Sequence, residues 1–276
     1  MSDTSRRSFL AMLGVLVGAG TAGGWTWWLR SGSVTAASQA AGAALSINMT
    51  TRTGATTAAF GSTTTTTSAE TTITAGPEAA MGRLEVICRE AWGASSIQGQ
   101  LVVHRIERLT VHHTAVEVGR ASEAPRRMRS YQNFHQESGW PDVAYHYLID
   151  ANGHVYEGRP VSARGDTFTE YDPTGHFLVC CDGHFDQQGL PAAQLGSLAD
   201  VLAWAAVQFG VGPSTIAGHG DFAATTCPGS HVAGLIGDRT VQSMVGQRIA
   251  AGGVSLSLLC GRAGLDRVAE IEAGRL

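Results

Sequence analysis

Arg108-Leu109-Thr110-Val111-His112-His113 is a short apolar run that closes on two histidines, and it reads as a buried strand with polar groups at its end. Further along, Met128, Tyr131 and Phe134 recur at helical spacing between Ala124 and Gln136, with Pro125 in the first turn. Val143–Ile149 is a second strand, which Asp150-Ala151-Asn152-Gly153 turns into His154-Val155-Tyr156-Glu157 as a hairpin. Phe177–Cys181 is a third strand. The longest helix runs from Ala192 to Phe209 with Leu195, Leu198, Leu202, Ala205 and Phe209 along one face. Another helix is expected from about Arg239 to Ala250. Strands interleaved with helices, and no internal repeat, predict an α/β fold: a single domain with a central mixed β-sheet flanked by helices.

That domain occupies only part of the 276 residues. Ser5-Arg6-Arg7-Ser8-Phe9-Leu10 has the twin-arginine export pattern and leads into an apolar stretch ending at Leu29. Residues 1–30 therefore read as a twin-arginine signal or a membrane anchor. Val34-Thr35-Ala36 and Ser38-Gln39-Ala40 resemble cleavage sites, whereas Trp25, Trp27 and Trp28 near the outer end of the run suit a membrane interface. Both readings stand at this point, and either places the protein outside the cytoplasm, secreted, wall-associated or tethered. Residues 31–82 are almost entirely Ala, Thr, Ser and Gly; such a stretch buries too little apolar surface to offset chain entropy and is expected to be a disordered linker. The folded domain is expected at 83–250, followed by a tail at 251–276 with helical character.

Charge excludes one class of partner. The net charge of −4 provides no broad basic field for nucleic acid, and the cluster Arg126-Arg127-Met128-Arg129 reads as the solvated face of a helix. A monomer is expected. Five cysteines in an exported chain raise the question of disulfides. Cys180 and Cys181 are adjacent in a strand and point to opposite faces, which disfavours a bond between them. Cys88 and Cys260 can pair with each other or with one of these, or all can remain buried thiols.

Three residues far apart in the chain have the chemistry of one metal site: His112, His219 in Gly-His-Gly-Asp, and Cys227 in Thr-Thr-Cys-Pro-Gly. Two imidazoles and a thiolate leave one position open on a zinc ion, the mark of a catalytic rather than a sealed structural site. Each histidine taken alone is weak evidence, because most histidines are satisfied core or surface groups. Their surroundings strengthen the set. Arg89-Glu90-Ala91-Trp92-Gly93-Ala94, Val111-His112-His113-Thr114-Ala115, Gly139-Trp140-Pro141-Asp142-Val143-Ala144-Tyr145-His146-Tyr147-Leu148, Asn152–Arg159, Gly218-His219-Gly220-Asp221 and Thr226-Cys227-Pro228-Gly229 follow one another in that order.

This succession resembles the type 2 N-acetylmuramoyl-L-alanine amidases, the family shared by peptidoglycan recognition proteins and phage amidase lysozymes, over about Arg89 to Ile236. The resemblance implies Zn2+ held by His112, His219 and Cys227. It also implies hydrolysis of the amide between N-acetylmuramic acid and L-alanine in peptidoglycan or a muropeptide. Tyr145 matches the family's tyrosine and Thr225 a position that carries Thr or Lys; both are implied to stabilise the oxyanion. Asp221 is expected to orient His219 or its loop, His113 to be a packed histidine on the other strand face, and Glu157 to be structural. Two other readings remain beside the amidase: a non-catalytic peptidoglycan-binding module, and a zinc hydrolase of a different amide.

The likeness weakens around the expected groove. Arg164–Phe168 and Thr174–Phe185 depart from the family's Gly-Ala-His-Ala and glycine-rich strand, and Gly220 stands where many members carry Arg. Substrate contacts cannot be carried over to those positions. No cysteine lies between His112 and Cys180, so the paired loop cysteines of animal recognition proteins are missing.

Overall fold

The computed structural model describes residues 82–276; the signal or anchor read at 1–30 and the linker up to residue 81 lie outside the described residues. Seven strands form one sheet in the order β6-β2-β5-β3-β4-β1-β7. They are β1 (Gly82–Ile87), β2 (Arg108–His113), β3 (Tyr147–Ile149), β4 (Val155–Glu157), β5 (His176–Cys181), β6 (Ile216–Gly218) and β7 (Val254–Leu259). Every pairing is parallel except the β3–β4 hairpin, so the sheet is mixed, as the sequence predicts.

Six α-helices cover its two faces: α1 (Arg89–Trp92), α2 (Ala124–Glu137), α3 (Ala192–Phe209), α4 (Ser230–Gly237), α5 (Thr240–Ala250) and α6 (Gly261–Glu272). Side-chain alternation along the strands sorts the cores. Leu109 and Val111 of β2, with Phe177, Val179 and Cys181 of β5, pack with Leu198, Val201 and Leu202 of α3, Val232 of α4 and Val241 of α5. On the other face Cys180 and Leu148 pack with Trp92, Met128, Tyr131, Val268 and Ile271. Thr110 and His112 alternate with the first set and therefore share the second face. Cys180 and Cys181 fall in different cores, which rules out a bond between them.

Four local expectations are refined. Val143–His146 lies outside β3: the Val143 carbonyl accepts from the Arg159 guanidinium at 2.9 Å and the Ala144 N–H donates to His135 Nδ1 at 3.2 Å, so the start of the stretch bonds to side chains, and only from His146, whose N–H donates to the Leu178 carbonyl at 2.9 Å, does it bond to β5. The Arg126–Arg129 cluster is not one solvated face. Met128 is fully buried, and Arg127 reaches into the fold to pair with buried Asp182 at 2.7 Å. Residues 251–276 contribute both β7 and α6; Val254, Leu256 and Leu258 alternate with Ser255, Ser257 and Leu259 at the period of a strand, not a helix. Cys88 pairs with Cys260, joining the end of β1 to the residue after β7, while Cys180, Cys181 and Cys227 are free. No helix among the described residues is long and apolar enough to cross a membrane.

Candidate metal centre

β2 is hydrogen-bonded on one side to β5 and on the other to β6, all parallel, and Val111 stands opposite Gly218. The next residues on those two strands are His112 and His219, which are thereby brought side by side, with ring centroids 4.6 Å apart. A loop after the short 3-10 turn His219–Asp221 then returns Cys227. Its sulfur lies 3.6 Å from His112 Nδ1 and accepts a 3.4 Å hydrogen bond from the His113 backbone N–H. One ligand atom from each of His112, His219 and Cys227 lies within 4.8 Å of the other two.

The donor set fits a zinc ion on two grounds. Zinc bonds of about 2.3 Å to sulfur and about 2.0 Å to nitrogen, at a tetrahedral angle, separate the two ligand atoms by about 3.5 Å, close to the Sγ–Nδ1 distance. In addition, His112 Nε2 is buried with no hydrogen-bond partner. An ordinary core histidine has its polar atoms satisfied, so this ring is not held in the way a packing residue is.

Electrostatics favour a metal as well. Burial, then the neighbouring His219, holds the His112 imidazole well below its usual pKa, and burial lowers His219 to about 4. Both rings are neutral near pH 7 and keep a lone pair for coordination. Burial pushes the Cys227 thiol up to about 12; a cation beside it would favour the thiolate, the ligating form.

The remaining expected groups divide. Tyr145 packs 5.3 Å from His112, with its phenol hydrogen-bonded to the Cys180 side chain; burial, then the Cys180 and Cys227 thiols, raises its pKa well above the usual range. It stays a donor. Thr225 Oγ1 accepts the Cys227 backbone N–H at 3.2 Å, which leaves its own O–H free to donate. Asp221 orders the loop and not the ring, since its carboxylate accepts the Gly218 N–H at 2.7 Å. His113 lies on the other face, where its Nδ1 accepts the Phe185 N–H at 3.4 Å. Glu157 accepts the Arg89 N–H at 3.1 Å, a structural role.

Sequence reasoning missed the partners of His219. Its Nε2 is 2.8 Å from Thr169 Oγ1 and 3.4 Å from Thr167 Oγ1. Tyr171 lies against its ring at 5.0 Å, with a buried hydroxyl that has no partner. Thr167 belongs to the first stretch in which the chain leaves the family pattern, and Thr169 and Tyr171 follow directly after it. No motif or period marks them.

A mixed sheet that brings two histidines at the ends of neighbouring parallel strands to a cysteine on the following loop defines an α/β domain with a candidate metal centre. The family described as N-acetylmuramoyl-L-alanine amidase matches residues 103–230. Peptidoglycan-recognition protein SD of Drosophila simulans is 30% identical over 165 residues, which cover 57% of this chain and 87% of that one. The human N-acetylmuramoyl-L-alanine amidase is 30% identical over 167 residues, 58% of this chain but only 29% of that protein. Among solved structures, peptidoglycan recognition protein-LE in complex with tracheal cytotoxin, a monomeric diaminopimelic acid-type peptidoglycan, is 25% identical with a TM-score of 0.51, over 55% of this chain and 92% of that one. The chain belongs to the family of type 2 N-acetylmuramoyl-L-alanine amidases and peptidoglycan recognition proteins.

Proposed function

We propose that the chain is a zinc-dependent N-acetylmuramoyl-L-alanine amidase that hydrolyses the amide between the lactyl group of N-acetylmuramic acid and L-alanine of the stem peptide. The observation that carries this reading is the complete set of His112, His219 and Cys227 gathered at the ends of β2 and β6. A member of the family that only binds peptidoglycan has no need of an intact ligand set with a position left open.

Zinc bound there supplies Lewis-acid polarisation of the scissile carbonyl and activation of water near neutral pH. The chain's own groups do the rest. Tyr145, kept protonated by burial, donates to the carbonyl oxygen as negative charge develops on it. Thr225 donates from the other loop, its lone pair already taken by the Cys227 N–H. Thr225 carries no charge, so it stabilises the oxyanion less than a lysine would. The attacking water gives up one proton and the departing amine takes one up, so the hydrolysis balances without an acid from outside the site.

The same reading places the protein outside the cytoplasm, exported by the twin-arginine route and acting as a monomer on peptidoglycan or muropeptides. The Cys88–Cys260 disulfide supports it, because such bonds persist in oxidising compartments. Digestion of purified peptidoglycan by the zinc-loaded protein is expected to release new L-alanine amino termini. Zinc binding without those termini would reject the amidase, and muropeptide binding in that same sample would make the chain a recognition module instead. Cys227→Ser is expected to abolish turnover and weaken zinc binding together, because a neutral hydroxyl replaces a thiolate; wild-type turnover in that variant would remove Cys227 from the ligand set.

A further inference from the structure

Metal-bound histidines commonly donate their second ring nitrogen to an acceptor that fixes tautomer and orientation. The acidic residue nearest in sequence to His219, Asp221, is occupied with the Gly218 backbone. Thr169 Oγ1 instead lies 2.8 Å from His219 Nε2 and 2.7 Å from Thr167 Oγ1, and Thr167 Oγ1 also accepts the Thr169 backbone N–H at 3.1 Å. One order of donation satisfies these contacts together with a metal on the other ring nitrogen of His219. If the Thr169 hydroxyl donates to Thr167, its lone pair faces His219, which must then carry its proton on Nε2 and leave Nδ1 bare toward Cys227 and His112.

We propose that Thr169 is the positioning residue of this metal centre: its hydroxyl, backed by Thr167, holds His219 as the Nε2–H tautomer with Nδ1 as the metal ligand. The inference rests on the zinc reading above and extends it to a segment outside the motifs that bear the ligands. That segment is held firmly enough for the task. The Arg159 side chain, itself buried, pairs with Asp166 at 2.6 Å and donates to the Arg164 carbonyl at 2.7 Å, which anchors the start of the loop. Tyr171 at its end lies against the face of the His219 ring at 5.0 Å and against Phe222 at 5.9 Å. The ring is packed by Tyr171 and its Nε2 is bonded, so Nδ1 is the nitrogen left for the cluster.

The test compares zinc affinity of the full chain, measured by competition with a chromophoric chelator, in the wild type, Thr169→Val and Thr169→Ser. Valine keeps the shape and removes the oxygen, and affinity is expected to fall about 10- to 100-fold. Serine keeps the oxygen and is expected to stay within a few-fold of wild type. A second measurement needs no variant: nitrogen NMR of the zinc-loaded wild type should show the His219 proton on Nε2. Wild-type affinity in Thr169→Val, or a proton on Nδ1, overturns the inference and leaves the amidase reading intact. Zinc binding that tracks the Thr169 hydroxyl, without peptidoglycan cleavage, upholds the inference while rejecting the amidase. A wild-type chain that binds no zinc overturns both.

Discussion

His146 should make the fold sensitive to mild acid. Its ring is fully buried; Nδ1 accepts the Leu178 N–H at 2.8 Å and Nε2 donates to the Ala163 carbonyl at 2.9 Å. Only the neutral ring fits, because a proton on Nδ1 would face another N–H. Burial, opposed in part by the Ala163 hydrogen bond, lowers its pKa from 6.5 to about 3. The sign follows from linkage: below pH 6.5 the unfolded chain takes up a proton that the folded chain refuses, so stability is lost as pH falls from 6.5 toward 3. Between pH 6.5 and pH 5 this amounts to roughly 2 kcal/mol at about 1.36 kcal/mol per pH unit, an appreciable share of a typical domain stability of about 5–15 kcal/mol. Urea unfolding at pH 7 and pH 5, with a chelator present to suppress metal-linked effects, gives the total loss for the wild type and for His146→Gln. Glutamine offers one donor and one acceptor but does not titrate, so the variant is expected to lose roughly 2 kcal/mol less than the wild type over this interval. An equal loss in the two proteins would refute the assignment of acid sensitivity to this ring.

Tyr145→Phe is expected to lower turnover by roughly 100-fold or more, as removal of one oxyanion donor does, with zinc content unchanged; turnover within a few-fold of wild type would remove the phenol from the chemistry. Arg127→Met should destabilise the fold by about 3–5 kcal/mol in urea unfolding, because it strands the buried Asp182 carboxylate. That carboxylate would keep only the Tyr131 hydroxyl at 2.6 Å and the Thr114 hydroxyl at 3.2 Å, and a loss below about 1 kcal/mol would show that these two suffice.

The parts of the fold that sequence makes legible are those in which one periodicity runs unbroken. The eighteen-residue α3 keeps its apolar face over many turns, and β2 and β5 are short apolar runs bounded by polar groups. Where a side chain substitutes for a strand, as Arg159 does beside Val143, the local pattern still reads as extended and the boundary is lost. β6 spans only three residues, too few for any period, although it positions His219. The cluster of His112, His219 and Cys227 was legible because the neighbours of each form ordered motifs. Thr169 was not, since a threonine that bonds a histidine fifty positions away leaves no local trace.

The centre depends on register more than on any single loop. With Val111 opposite Gly218, His112 and His219 leave their strands at the same level. A one-residue slip of β2 would turn His112 into the α3 core and bring His113 toward the metal. Leu109 and Val111, both fully buried, oppose that slip, because it would move their side chains out of the same core. Gly218 closes the third side: a Cβ there would come within 2.7 Å of Pro228 Cδ, so only glycine lets the Cys227 turn lie flat against β6. Apolar packing on one face of β2 thus fixes where His112 stands on the other, beside His219 and Cys227. This explains how His112 meets His219 and Cys227, which lie more than a hundred positions further along the chain, at one level of the sheet.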